Sequence, residues 1–532
     1  MTLSLSLWNW LLAFTPVLMV LIMMLVFRAG GARAGGVGWL TAVIVSALFF
    51  GADFELLAVA QIRAILLTLD VFYIIWTALL LYHISNEAGA IRMIGRALPR
   101  LTEDRVMQSL LIGWLMVTFI QGTGGFGVPV AVCAPLLVAI GFTPIQAVAM
   151  ASLGDTWAVT FGSLATSFQT LLAVTGIDPG GVAHYSALLL GIVSIPAGLL
   201  VAVIGNGWKS FKRAVPPVLV LSLVMGITQY LLATNGMWTL GTTGAGIVGL
   251  VVGFLLLRLP VYRNANTGPK QPQDLTDLAT PEAGQDAGKS IFVALSGYAL
   301  LVILAFAVNL IRPVGEFMGR VRFSLDFPEV ATRFGWVTPA GPGRVINVFG
   351  HPGAILLYAC VLSLIIYRLA GYLQPGALKR IFNRVGRSGV NSSLGILAMV
   401  GVASIMLHSG MTFLLAEGLS TSIGPDFYPL VAPLIGALGA FITGSNTNSN
   451  VLFGVLQQNS AQLMNLSIPL ILAAQTAGGS VGSVLAPAKV IVGCSTVGLA
   501  GEEGNVMRKI IGYGLIPIAV VALAAWIINL LG

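Results

Sequence analysis

The sequence predicts an all-α polytopic membrane protein of about 12–14 transmembrane helices, with two inverted repeats that contain broken helices or helical hairpins. Three observations point there. Of 532 residues, 57% are hydrophobic and only 9% charged, and mean hydropathy is +0.94, which no set of soluble domains would show. The apolar runs are long enough to span as helices and lack the alternation of an outer-membrane barrel strand. Finally, two polar stretches interrupt apolar runs: Ile120-Gln121-Gly122-Thr123-Gly124-Gly125-Phe126-Gly127-Val128-Pro129 and Thr443-Gly444-Ser445-Asn446-Thr447-Asn448-Ser449-Asn450. Backbone groups freed at membrane depth are tolerated only where protein buries them or a watery cavity meets them. Paired interruptions in two halves of a membrane chain are the pattern of a secondary transporter.

In chain order, apolar runs come first at Leu11 to Phe27, Val37 to Gly51 and Ala64 to Tyr82. The first is followed by Arg28 and Arg33 and has no positive charge before it, so it reads as a retained helix with its N-terminus outside. Arg92, Arg96 and Arg100 recur every four residues in a cytoplasmic interfacial segment. The first broken-helix block, 106–175, holds the glycine break, a Thr143-Pro144 corner and a second interruption at Gly154-Asp155-Thr156-Trp157. Threonine as cap and proline at the first helical position make that corner a helix start. Runs at Val215 to Ala233 and Gly244 to Leu257 form a hairpin that completes an N-terminal half, 1–257. Residues 258–290 are polar and read as a disordered cytoplasmic linker.

The C-terminal half, 291–532, opens with a span and an outer segment, Arg312 to His351, that holds five arginines against three acids. Its broken-helix block, 390–497, repeats the earlier order. His408-Ser409-Gly410 interrupts, the Gly-Ser-Asn-Thr break follows, and a Leu466-Ser467-Ile468-Pro469 corner leads to a second break expected at Ala474-Gln475-Thr476-Ala477-Gly478-Gly479. The final span, Ile510 to Leu531, leaves the C-terminus outside as well.

The net charge of +8 does not indicate nucleic acid, because most of the 27 Lys and Arg residues fall in the predicted cytoplasmic loops. Cys133, Cys360 and Cys494 lack metal-ligand spacing, and no metal or cofactor is expected. A Gly-x-Ser-x-Gly match at Gly478–Gly482 lies in a helical membrane stretch, not between the strand and helix that a nucleophile elbow needs. An enzyme is therefore poorly supported.

Charged residues inside apolar runs cost roughly 2.5–3.5 kcal/mol each on insertion scales and are functional candidates by default. Here they are Asp70, Asp155, Glu417 and Lys489. Asp155, in a predicted break, could carry a coupling proton or help hold Na⁺. Lys489 could face a substrate carboxylate or neutralise Asp155. Asp70 and Glu417 are less well placed, and His408 is the one histidine near a helix break. Half-helix N-termini after the breaks suit a carboxylate. The expected substrate contacts are Gly124, Gly125, Phe126 and Gly127 in the first half and Ser445, Asn446, Thr447 and Asn448 in the second, with Thr156 and Thr476 as hydrogen-bonding partners.

Several of these stretches resemble the L-lactate permease family. They include Leu101-Thr102-Glu103-Asp104-Arg105 with Gln108-Ser109-Leu110-Leu111-Ile112, Gly125-Phe126-Gly127-Val128-Pro129-Val130-Ala131, and Trp157-Ala158-Val159-Thr160-Phe161-Gly162. Gly444-Ser445-Asn446-Thr447, Ser449-Asn450, Thr476-Ala477-Gly478-Gly479, Pro487 and Val497-Gly498-Leu499 continue the resemblance in order, over nearly the whole chain. It implies a prokaryotic plasma-membrane symporter, monomer or homodimer, that takes up lactate and related 2-hydroxymonocarboxylates such as glycolate together with protons. Members of that family often carry an acidic residue where Gln121 stands, an uncharged one where Asp155 stands and an amide where Lys489 stands. Another organic anion, possibly with Na⁺, is the runner-up.

Overall fold

A computed structural model describes residues 4–27, 29–89, 93, 102–125, 127–263, 290–294, 296–499 and 502–531. Phe126, the arginine stripe at Arg92, Arg96 and Arg100, and most of the 258–290 linker lie outside these residues.

The architecture is helical. We number the longer helices α1 Leu7–Leu25, α2 Gly31–Phe49, α3 Phe54–Glu87, α4 Arg105–Thr123, α5 Val128–Ala139, α6 Pro144–Gly154, α7 Gly162–Thr175, α8 Pro179–Asn206, α9 Trp208–Thr234 and α10 Trp238–Leu256. After the linker come α11 Ser296–Leu310, α12 Arg312–Met318, α13 Pro352–Leu369, α14 Ala377–His408, α15 Met411–Ile423, α16 Tyr428–Thr443, α17 Asn446–Leu463, α18 Ile468–Leu485, α19 Pro487–Thr496 and α20 Glu503–Leu531. Among the described residues, ten helices are long and apolar enough to cross a membrane, or up to twelve if each bent pair is one span.

Sequence signals explain the starts. The Ser6, Asp53 and Asp104 side chains accept from backbone N–H groups in the first turns of α1, α3 and α4. Thr143 and Gln146 close a capping box at α6, with Pro144 beside it, as the corner predicted. The α14–α15 pair bends by 75° at Ser409-Gly410, where Gly410 has φ +79°.

The two chain halves interleave. The long α14 packs along α2 and α3, α17 packs against α7, and α8 against α18 and α20. The spanning window of α4 is wholly buried, and that of α18 nearly so, whereas α1, α9 and α20 expose leucines and other apolar side chains along their lengths, as lipid-facing helices do.

One expectation is overturned here. Ala474–Gly479 is not a break: α18 runs unbroken to Leu485, and the backbone leaves the helix at Ala486, with ψ 139°. The glycines serve close packing instead. A Cβ on Gly478 would collide with the Pro433 carbonyl oxygen, one on Gly482 with that of Ala437, and one on Gly436 with that of Gln475. Small residues let two backbones approach this closely within a membrane.

The arginine-rich outer segment becomes an antiparallel β-arm. Arg322 pairs with Asn347, Asp326 with Pro342 and Val330 with Thr338. It docks on α3 through Phe327 and Val330, which bury against Leu56, Val59 and Leu66, and through a hydrogen bond from the Arg333 N–H to the Gly51 carbonyl at 2.8 Å.

Candidate functional site

Three non-helical joints meet at the centre: Gly124-Gly125 and Gly127 between α4 and α5, Asp155–Phe161 between α6 and α7, and Gly444-Ser445 between α16 and α17. Ser445 caps α17 by accepting from the Asn448 N–H at 3.3 Å. Asn446 to Asn450 thus form the first turn of a helix and not an extended loop, a shorter break than the sequence suggests.

The second and third joints are tied by hydrogen bonds between the two halves. The Asn446 amide donates to Thr160 Oγ1 at 3.2 Å, to Thr476 Oγ1 at 3.2 Å and to the Thr476 carbonyl at 3.1 Å. Thr160 Oγ1 donates to the same carbonyl at 2.9 Å. Asn450 reaches Thr476 Oγ1 at 2.9 Å and the Ser167 carbonyl at 3.0 Å, and Ser167 Oγ meets Thr447 Oγ1 at 3.1 Å. All of these residues are buried. Behind them Tyr428, Gln457, Gln475 and Ser449 form a second relay that fixes α16, α17 and α18 together.

A hydroxyl stripe on α18 leads away from this cluster. Thr476, Ser480 and Ser483 sit at i, i+4 and i+7, on one helical face, and span about 10 Å. Ser480 Oγ donates to the Thr156 carbonyl at 2.7 Å and accepts from the Val159 N–H at 3.2 Å. Ser483 Oγ donates to the Ser480 carbonyl and receives the Lys489 ammonium at 3.3 Å.

Lys489 does not snorkel to the interface; it is 7% exposed. It is the third residue of α19, where the positive end of the helix dipole disfavours a cation. A Cβ on Gly127 would lie 4.0 Å from Lys489 Cγ, so its stem runs beside the first break. The opposite charge in the neighbourhood is Asp155, within electrostatic reach. Asp155 ends α6, is 1% exposed, and neither carboxyl oxygen has a hydrogen-bond partner. It caps no following helix.

Gly125 and Gly127 have φ of +52° and +86°, which glycine alone adopts freely. The glycines also admit neighbours: a Cβ on Gly124 would press on the Tyr82 ring, and one on Gly125 would collide with Ser163 Oγ. Thr156 keeps its hydroxyl on the Leu153 carbonyl at 2.8 Å. Asn448 lies near Gly31 of α2, apart from the Thr476 cluster.

The remaining candidates stand elsewhere. Asp70 is held by Arg344 Nε at 2.9 Å and His351 Nε2 at 3.0 Å. Glu417 lines a cavity with Phe50, Thr332 and Trp336, and His408 bonds to the Ser404 carbonyl at 2.7 Å. Among the described residues, none of the three makes a hydrogen bond or ion pair with the Asn446–Lys489 cluster.

Sequence reasoning missed Thr160, Ser167, Asn450 and Ser480 as site residues. For Thr160 and Ser167 the signal was present as hydroxyl spacing: Thr156 and Thr160, then Ser163 and Ser167, recur at i+4 across the second interruption. It missed more fully the left-handed turn of Ser163, Leu164 and Ala165, with φ of +48°, +57° and +62°. L-residues enter that region at roughly 1–2 kcal/mol each, and such strain concentrates at functional sites.

The chain is similar to known proteins over nearly its whole length. The L-lactate permease family model matches residues 9–532. The L-lactate permease of Halalkalibacterium halodurans is 26% identical over 98% of this chain and 96% of its own length. The glycolate permease GlcA of Escherichia coli is 27% identical over 96% of this chain and 94% of its own length. The L-lactate permease of Bacillus subtilis is 26% identical over 97% and 95%. With a family model that covers all but the first few residues, a helical membrane architecture and two interrupted blocks joined at its centre, this chain belongs to the L-lactate permease family.

Proposed function

We infer that the protein imports L-lactate, D-lactate and glycolate across a prokaryotic plasma membrane by proton symport. The observation that carries this reading is the buried Asp155, without hydrogen-bond donors, within electrostatic reach of the buried Lys489 at the end of the polar stripe. A carboxylate so deprived is retained in a membrane interior only when protonated or balanced by a cation. With Asp155 ionised and Lys489 charged, the pair is neutral. A proton arriving on Asp155 leaves the Lys489 ammonium unbalanced, and a substrate carboxylate restores neutrality. Proton and anion therefore load together. The α-hydroxyl of the substrate would find partners among Thr160, Thr476 and Asn446.

The test is uptake of labelled L-lactate into proteoliposomes, with an imposed pH gradient and with that gradient collapsed by ionophore. Accumulation that disappears on collapse, and competition by glycolate and D-lactate, are expected. No uptake in tight vesicles that hold folded protein would overturn the reading. A second reading, a sodium-coupled organic-anion carrier, is favoured by the amide oxygens of Asn446, Asn448 and Asn450, which are buried without partners; such oxygens suit hard cations. Accumulation driven by a Na⁺ gradient at equal pH would select it.

A further inference from the structure

A second group of basic residues lies outside the central cluster. A cavity of about 400 Å³ opens where the β-arm meets α3, α7, α14 and α17, and its lining includes Arg63, Arg344 and His408 but no carboxylate. Small-ligand sites have this size. Arg344 is balanced by Asp70. Arg63 is not: it has no ion pair among the described residues, its Nε and Nη2 are buried without acceptors, and its guanidinium stands 4.7 Å from the centre of the Phe327 ring.

His408 points the same way. It is 4% exposed, its Nδ1 is taken up by the Ser404 carbonyl, and its Nε2 is buried with no partner although the residue lines the cavity. Ser404 is itself anchored to α3 by donating to the Ala60 carbonyl at 2.7 Å, which fixes the ring. Buried polar groups normally have partners, so two unmet ones on a single cavity wall mark a place for a ligand.

The cavity also shares two helices with the central cluster. Val174 of α7 and Val455 of α17 line it, seven residues beyond Ser167 and five beyond Asn450. By helical rise, its wall lies about 7–10 Å along the two helices from the central hydroxyls and amides.

We propose that Arg63 holds a small carboxylate in this vestibular cavity, with His408 Nε2 free to accept a hydrogen bond from the ligand, before the anion passes between α7 and α17 to the central cluster. The identity of the anion as a 2-hydroxymonocarboxylate rests on the transport reading above; the anion site does not. Low-dielectric clefts lined by one sign of charge raise the local concentration of counter-ions by tenfold or more.

The test separates the two. In protein with Cys133, Cys360 and Cys494 replaced by serine, Val345→Cys places one thiol on the exposed part of the cavity wall. After normalisation to a free thiol, an anionic sulfonatoethyl thiosulfonate should label it about tenfold faster than a cationic trimethylammonium analogue. Arg63→Gln should abolish that preference and Arg63→Lys should keep it, with both variants monodisperse on gel filtration. L-lactate should slow the labelling, and Arg63→Gln should raise the KM for uptake with little change in maximal rate. Equal labelling by both reagents would overturn the anion site whatever the protein transports. Charge preference without lactate protection or lactate uptake would uphold the anion site and remove lactate as its ligand.

Discussion

Lys489 lies in the first turn of a helix, buried and held by a single serine hydroxyl, an unfavourable place for a cation. Its position explains itself only with Asp155 nearby, and each of the pair has a distinct expected phenotype. On the proposed symport, Asp155→Asn removes the proton acceptor but leaves the ammonium free to hold a carboxylate. Exchange of labelled for unlabelled L-lactate should survive, and accumulation driven by a pH gradient should be lost; unchanged accumulation would take Asp155 out of coupling. Lys489→Gln removes a charged hydrogen-bond donor worth roughly 1.5–3 kcal/mol. Its exchange KM should rise by about 10- to 100-fold, and an unchanged KM would show that Lys489 does not meet the substrate. The sequence identified both residues, because a charge in an apolar run is costly wherever it lies. It placed Asp70 lower but could not name its partners Arg344 and His351, which stand more than 270 positions away.

At the scale of elements, glycine-rich stretches have two uses here, and composition alone does not tell them apart. Gly125 and Gly127 end one helix and start another with positive φ. Gly478, Gly479 and Gly482 stay helical and let α18 lie against α16 with backbone in contact. The difference resides in the partner helix, where Pro433 and Ala437 present their carbonyl oxygens to the missing side chains. Gly478→Ala should therefore destabilise by about 1–3 kcal/mol through overpacking and lower the thermal midpoint of the purified protein. Gly512→Ala, where a Cβ would meet nothing within 4 Å, should not. Equal midpoints for the two variants would refute the close-packing role. The left-handed turn at Ser163–Ala165 was illegible for a related reason: its sequence carries no glycine, and only the surrounding packing imposes that conformation.

For the whole molecule, one proton and one monocarboxylate moving together carry no net charge. A potassium-diffusion potential set with valinomycin at equal pH should drive no accumulation of lactate, whereas a pH gradient at zero potential should; potential-driven uptake would demand another stoichiometry or ion. The sequence by itself determined that this chain is a helical membrane protein with two interrupted blocks, since hydropathy and helix-breaking residues act locally along the chain. It determined the caps and corners too, as at Thr143-Pro144. Only the tertiary structure decided which interruptions meet. Asn446 donates to Thr160 across 286 positions, α14 lies between helices of the first half, and Arg63 and His408 come to one cavity from α3 and α14. Such pairings are set by how helices pack on one another, and no local pattern encodes a partner that distant in the chain.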